Sequence, residues 1–304
     1  MNNKTTFYNG FRERAHTLIE ALPYIRRFSG KTIVIKYGGS AMTNADLRDR
    51  IIQDIALLKY VGLRPLLVHG GGPAINELLS QVGVESRFEN GLRVTDAATM
   101  ELTEMVLAGK VNKELVRLLQ LHGVGAVGLT GKDGRLLRAE KMKSEKADLG
   151  FVGRIESVDT RILEVLFESD FVPVVAPVSA DAKGTTFNIN ADDAAVAIAA
   201  ALKAEKLLFL TDVPGILRSV EDPSSRISSI SSTEARELIR NQTVAGGMVP
   251  KVRCAAEAAD SGVTATHIID GNMPHALLLE ILTSEGVGTL IEPDAKTNTE
   301  EQPQ

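Results

Sequence analysis

Apolar residues along this chain alternate between short uninterrupted runs and a helical recurrence, and that alternation predicts its elements. Phe11, Ala15, Leu18, Ile19 and Leu22 predict an amphipathic helix over 11–25, which Pro23 should kink or stop. This helix precedes the first core strand, so its apolar stripe needs a partner, either its own domain or another subunit. A β run at 32–35 leads into Lys36 and the pair Gly38-Gly39. Leu47, Ile51, Ile55 and Leu58 give the next helix, 46–60, one buried face. A strand at 66–68 runs into Gly70-Gly71-Gly72, and a helix over 74–82 follows. The stretch ENGLRVT, 89–95, reads as a hairpin turning at Asn90-Gly91. A long helix over 99–121 ends at His122-Gly123.

Beyond it, short runs over 125–160 suggest a β-meander with a polar loop at 141–148. Strands are expected at 171–176, 206–211, 263–269 and 288–291. Helices are expected at 191–202, 233–240, 251–261 and 274–283, the first alanine-rich and so packed closely on a sheet. A polar stretch, 219–232, reads as a surface loop, and the tail 292–304 as disordered. Alternating helices and strands favour the α/β class.

At 304 residues the chain can form one large domain or two modest ones. Its formal charge of -5, with no basic cluster, argues against a nucleic-acid partner. One cysteine, Cys254, excludes an intramolecular disulfide and fits a reducing compartment. Its surroundings, VRCAAEAA, suggest a packed helix position. The first residues lack the apolar core of a signal peptide, and no run is long enough to span a bilayer, so a cytoplasmic protein is expected.

The chemistry is concentrated where strands end in glycine. Lys36 with Gly38-Gly39, and Gly70–Gly72 after the second strand, each offer bare backbone N–H groups at one point, and the first adds a cation; together they resemble two anion cradles facing one cleft. Either stretch alone reads equally well as a tight turn. A Walker A loop is excluded, because its look-alike GLTGKD, 128–133, has Ala126 where the first glycine belongs and carries Asp133 after the lysine. A dinucleotide fingerprint is missing too. Arg93 is a candidate carboxylate clamp, its alternative being a surface arginine. FNINADD, 187–193, opens a helix with two asparagines and two aspartates, at least one of them a cap. GGMVPK, 246–251, repeats the glycine-then-lysine arrangement at a helix start, so Lys36 and Lys251 could neutralise a phosphoryl group in transfer. His69, beside the glycines, reads as structural.

In this order and spacing, KYGGSAM, LVHGGGP, NGLRVT, FNINAD, LTDVPGIL and GGMVPK resemble the amino acid kinase family over residues 30–291. The resemblance implies a three-layer αβα sandwich with a mainly parallel central sheet. It divides the chain into an N-terminal oligomerisation helix (1–30), a lobe for an acyl amino acid (31–203) and a nucleotide lobe (204–304). It implies that Lys36 and Lys251 stabilise the transferring phosphoryl group and that Asp192 orients both. Gly71 and Gly72 would receive the reacting carboxylate, with Arg93 and Asn188 holding the other one. Gly38, Gly39, Asp212, Val213, Pro214, Gly215, Ile216 and Leu217 would surround the nucleotide. Mg²⁺ would be held mainly by the ATP phosphates, without protein ligands. The implied substrates are N-acetyl-L-glutamate and ATP, in a step of arginine biosynthesis. An ionised carboxylate needs no general base.

The N-terminal helix and the segment HALLLEILTSEGVGTLI, 275–291, resemble an arginine-inhibited, hexameric branch of the family. There Lys206, His267, Glu280 and Gly286 match positions around an arginine site, and some photosynthetic members bind the PII signal protein. Three alternatives stay open: a related kinase of carbamate, aspartate, glutamate or a nucleoside monophosphate; a non-catalytic arginine sensor; and, most distantly, a nicotinamide oxidoreductase.

Overall fold

A computed structural model describes residues 2–89, 91–144 and 147–294, with the backbone alone for 2–14, 40 and 41. Helix α1 (Asn2–Phe28) runs through Pro23 instead of stopping there. Its last turns explain this: Ala21, Tyr24, Ile25 and Phe28 pack into the core and offset the hydrogen bond that a helical proline forfeits. Leu18, Ile19 and Leu22 are exposed, so the predicted stripe is only partly covered, while the side chain of Phe11 lies outside the described residues.

Strand β1 (Thr32–Tyr37) passes through a short turn at Gly39–Met42 into α2 (Ala45–Tyr60), which starts where Asn44 Oδ1 accepts from the N–H groups of Asp46 and Leu47. β2 (Arg64–His69) and α3 (Gly72–Gln81) follow. β3 (Phe88–Glu89) and β4 (Leu92–Arg93) pair antiparallel about Gly91, while Asn90 lies outside the described residues. α4 (Ala97–Glu104), a wider π-type stretch at Met105–Val111 and α5 (Asn112–Leu121) form one rod, started by Asp96 accepting from Thr99 N.

Next come β5 (Ala126–Thr130), β6 (Leu137–Lys141), β7 (Val152–Val158), α6 (Arg161–Glu168), β8 (Val172–Ala176), β9 (Val178–Ala180) and β10 (Thr186–Ile189). The meander expected over 125–160 is therefore corrected. β5 pairs parallel with β8, and a parallel pair needs the long crossover that the intervening β6, β7 and α6 supply. β6 and β7 pair antiparallel and close with β9 and β10 into a small barrel.

The chain ends with α7 (Ala191–Ala201), β11 (Lys206–Thr211), β12 (Ser229–Ser231), α8 (Ser232–Arg240), α9 (Met248–Asp260), β13 (Ala265–Asp270), α10 (Ala276–Leu282) and β14 (Thr289–Glu292). Two expectations change here. The polar stretch 219–232 contains an edge strand, β12, because Ile230 is buried beneath it. The tail is ordered as far as Asp294, whose carboxylate accepts from the Thr233 hydroxyl at 2.6 Å. Residues 295–304 lie outside the described ones.

Among the described residues the main sheet runs β12–β14–β13–β11–β1–β2–β8–β5, parallel throughout except for β13–β14. Side chains alternate across it. Ile33, Ile35 and Tyr37 of β1 enter one core with α2, α5 and α10; Val34 enters the other with α6, α7 and α9. Helices thus cover both faces, giving the three-layer αβα sandwich.

Candidate active site

The same alternation aims Lys36. Two residues beyond Val34, it points to the face covered by α7 and α9, and those helices bring Asp192 and Lys251 to meet it. Lys36 Nζ lies 2.8 Å from Asp192 Oδ1, and Lys251 Nζ lies 3.4 Å from Asp192 Oδ2. The first contact is an ion pair aimed off the hydrogen-bond direction. Burial opposes the charged form of Asp192, but the two ammonium groups outweigh it and hold the carboxyl below the usual carboxylate range. Asn190 caps α7, its Oδ1 accepting from Asp192 N at 2.7 Å and from Asp193 N at 3.2 Å, so the carboxylate stands at a fixed turn. A Cβ on Gly38 would sit 2.8 Å from Lys36 Nζ; glycine leaves the ammonium its place.

β1 is also where the sheet order switches, with β2 on one side and β11 on the other, and ligands of open α/β sheets bind at the carboxyl ends of such strands. Gly70 N donates to Tyr37 O at 2.8 Å, so the two glycine turns stand side by side. Gly70–Gly72, Arg93 and Asn188 bound a cavity of about 170 Å³, with Leu107, Val152 and Pro177 as apolar wall. Arg93 is 7% exposed; its guanidinium donates to Ser86 Oγ and to Gly72 O and lies 4.7 Å from the Phe88 ring centroid. Burial lowers its pKa. Among the described residues no carboxylate pairs with it, which leaves a buried cation facing the cavity.

Asn190 is the cap that FNINADD was expected to supply, but two supporting residues escaped sequence reasoning: Ser86 and Thr95. Thr95 lies inside the NGLRVT motif, yet its partner is 93 positions away: Asn188 Nδ2 donates to Thr95 Oγ1 at 3.3 Å. His69 is fully buried, Nδ1 donating to Gly70 O at 2.8 Å and Nε2 accepting from Asn112 at 3.1 Å, and burial lowers its pKa to about 4. It is a neutral strut.

The nucleotide candidates divide. Asp212, Val213 and Pro214 lie at the carboxyl end of β11 with surface access, whereas Gly215 and Ile216 turn inward. Ile216 is in the core, its N–H donating to Thr289 Oγ1 at 2.8 Å, so these two anchor the loop. Leu217 bridges to Arg226. Gly39 is exposed beside buried Gly38. Among the described residues no three His, Cys, Asp or Glu side chains gather into a metal-holding group, and no helix is long and apolar enough to cross a membrane.

Lys206, His267, Glu280 and Gly286 also meet, away from Lys36. Lys206 Nζ donates to His267 Nε2 at 2.8 Å, and His267 Nδ1 donates to Glu280 Oε1 at 2.6 Å. Burial lowers the pKa of both Lys206 and His267, and a neutral imidazole fits the relay. Burial would raise Glu280, but His267 and the N–H groups of Val287 and Gly288 outweigh it and hold the carboxyl low. Gly286 stands against Glu280, where a Cβ would lie 3.3 Å from Oε2.

Residues 31–270 match the model of the amino acid kinase family. The chain belongs to this family. Among amino acid kinases it is similar to the acetylglutamate kinase of Thermoanaerobacter pseudethanolicus, 54% identical over 278 residues, covering 91% of this chain and 93% of that one. Its fold is similar to an N-acetylglutamate synthase from Neisseria gonorrhoeae solved with coenzyme A and N-acetyl-glutamate: TM-score 0.82, 28% identity, 92% of this chain but only 64% of that one. The same synthase solved with coenzyme A and L-arginine gives a TM-score of 0.78 at 26% identity, covering 92% of this chain and 66% of the synthase.

Proposed function

We propose that this chain is an acetylglutamate kinase. It transfers the γ-phosphoryl group of ATP to the side-chain carboxylate of N-acetyl-L-glutamate, giving N-acetyl-L-glutamyl 5-phosphate and ADP, a step of arginine biosynthesis. The observation that carries this reading is the Lys36–Asp192–Lys251 bridge beside a cavity that holds one unpaired guanidinium, in a chain 54% identical to an enzyme of that name. Residues 31–203 form the acyl-amino-acid lobe and 204–304 the nucleotide lobe.

The chemistry follows from charge. A glutamate side chain, with a pKa near ~4.3, is already an anion at neutral pH and attacks in line without a base. The barrier is then the repulsion between that anion and the phosphates. Lys36 and Lys251 oppose it, and Asp192 holds both ammonium groups in place before the substrates arrive, so no reorganisation is needed during transfer. The N–H groups of Gly71 and Gly72 receive the reacting carboxylate. Arg93 and Asn188 hold the α-carboxylate, and the apolar wall accepts the acetyl methyl. Gly38, Gly39 and the surface residues Asp212, Val213 and Pro214 face the nucleotide. Mg²⁺ brought in with ATP would supply further neutralisation of the phosphate charge, while both oxygens of Asp192 face the ammonium groups of Lys36 and Lys251.

The test is ADP release from MgATP with N-acetyl-L-glutamate, L-glutamate, L-aspartate, carbamate and UMP. Turnover confined to N-acetyl-L-glutamate is expected; turnover on another acceptor alone would leave only the fold.

A second reading, feedback inhibition by arginine, rests on the buried relay. Glu280 is the anion bonded into it, and an arginine guanidinium entering beside Gly286 would take over bonds that His267 and the loop N–H groups now make. Glu280→Ala should abolish arginine inhibition with kcat retained. A homohexamer, cytoplasmic residence and a PII partner belong to the same reading.

A further inference from the structure

We propose that Thr95 is a positioning residue that fixes which end of the Asn188 amide faces the acyl-amino-acid cavity. The inference rests on the acetylglutamate reading of that cavity. Thr95 is fully buried, and its hydroxyl has one proton to give. That proton is committed to the backbone carbonyl of Arg93, at 2.8 Å. Only lone pairs remain for Asn188, so the amide must turn its NH₂ toward Thr95. A flipped amide would set its carbonyl oxygen against an oxygen with no proton to donate.

The backbone around this contact is locked independently. Thr95 N donates to Leu149 O at 3.0 Å, Phe151 N donates to Thr95 O at 2.6 Å, and Asn188 N donates to Phe151 O at 2.9 Å. Gly150, with φ of +68°, is pressed so closely on this ladder that a Cβ would lie 2.1 Å from Thr95 O. Strand geometry therefore sets where Asn188 stands, and the hydroxyl is left to set its orientation. The same hydroxyl is tied to the backbone carbonyl of Arg93, which fixes its own direction, while the Arg93 guanidinium is held separately by Ser86 and Gly72.

The consequence is chemical selectivity. With one N–H on Thr95, Asn188 keeps one N–H and its Oδ1 for the ligand: a donor for a carboxylate and an acceptor for an amide N–H. An N-acylated amino acid carries both complements next to each other, because its α-carbon bears a carboxylate and an acylamino N–H.

Steady-state kinetics of wild type, Thr95→Val and Thr95→Ser test this. Thr95→Val keeps the shape and removes the hydroxyl. It should raise KM for N-acetyl-L-glutamate about tenfold or more, with KM for ATP nearly unchanged. Thr95→Ser should restore the wild-type KM. In an Asn188→Ala background, Thr95→Val should add no further increase, since the role acts through Asn188. Should Thr95→Val not fold, the wild-type enzyme with 2-acetoxyglutarate, in which oxygen replaces the amide nitrogen, reads the orientation directly. That ester should bind at least about tenfold more weakly than the amide. Wild-type turnover with an unchanged KM in Thr95→Val, or equal binding of ester and amide, would overturn the proposal alone. Absence of wild-type turnover on N-acetyl-L-glutamate would remove both it and the reading beneath it.

Discussion

Asp192 holds two cations with one carboxylate, and the two lysines it joins come from opposite ends of the chain. Deleting one cation tests the bridge without emptying the substrate cavity. Lys251→Ala should lower kcat by roughly 10²–10³-fold, the usual cost of removing one group that stabilises transition-state charge, with a smaller change in KM for N-acetyl-L-glutamate. Stopped assays over a substrate range check this, and full activity would refute the assigned role. At this scale the lysines and glycines were legible only as a set, because either glycine stretch alone reads equally well as a tight turn while the glycine-then-lysine arrangement recurs. Which aspartate serves them was less so: FNINADD offers two in succession. The structure separates them, sending Asp193 to a half-buried contact in which its Oδ1 accepts from the Cys254 thiol at 3.3 Å. Thr95 was illegible for a different reason. Its hydroxyl matters through a contact that exists only once the barrel has folded.

Elements were legible where helical periodicity was strong and sustained, as in α2 and α9, or where an apolar run ended in glycine, as in β1. The misplaced strands have one physical cause, that sheet membership is decided by tertiary pairing. A run such as 126–130 or 229–231 reads the same in a hairpin, a barrel or the edge of a parallel sheet. Element packing also hides chemistry. α2 and α10 meet at Asp54 and His275, whose Nδ1 lies 2.6 Å from Asp54 Oδ1. Burial pushes the Asp54 carboxyl up to about 6, against the opposing effect of His275. A carboxyl raised in the folded state binds more protons there than in the unfolded chain at intermediate pH. Its stabilising contribution is thus complete below about 4 and is lost as pH rises through about 6. Asp54→Asn, which cannot ionise, should therefore gain on wild type by about 2–3 kcal/mol between pH 4 and pH 7. Urea denaturation of both proteins at the two pH values measures the gain; parallel curves would show that Asp54 ionises freely in the fold.

On the scale of the whole molecule, α1 connects two features that the rest of the fold leaves apart. Its last residue, Phe28, is buried with its ring centroid 5.1 Å from Lys206 Nζ, at the start of the Lys206–His267–Glu280 relay. Further back, Leu18, Ile19 and Leu22 are 76%, 65% and 51% exposed on a helix whose last turns are docked through Ala21, Tyr24, Ile25 and Phe28. Three adjacent aliphatic side chains in water favour burial against another surface. A second copy of α1 offers the same stripe, which is how an isologous contact forms. If α1 links subunits in this way, a ligand that shifts the relay also shifts the helix through Phe28, and inhibition and assembly are coupled. The double variant Leu18→Glu/Leu22→Glu should then run in light scattering as a smaller species than the wild-type protein. Its kcat without arginine should stay near wild type, because Lys36, Asp192 and Lys251 lie away from α1, at the carboxyl end of β1. The arginine inhibition proposed above should weaken by the free energy that assembly had contributed. A variant that keeps both its size and its inhibition would show that α1 is a surface helix and that the relay acts within one subunit.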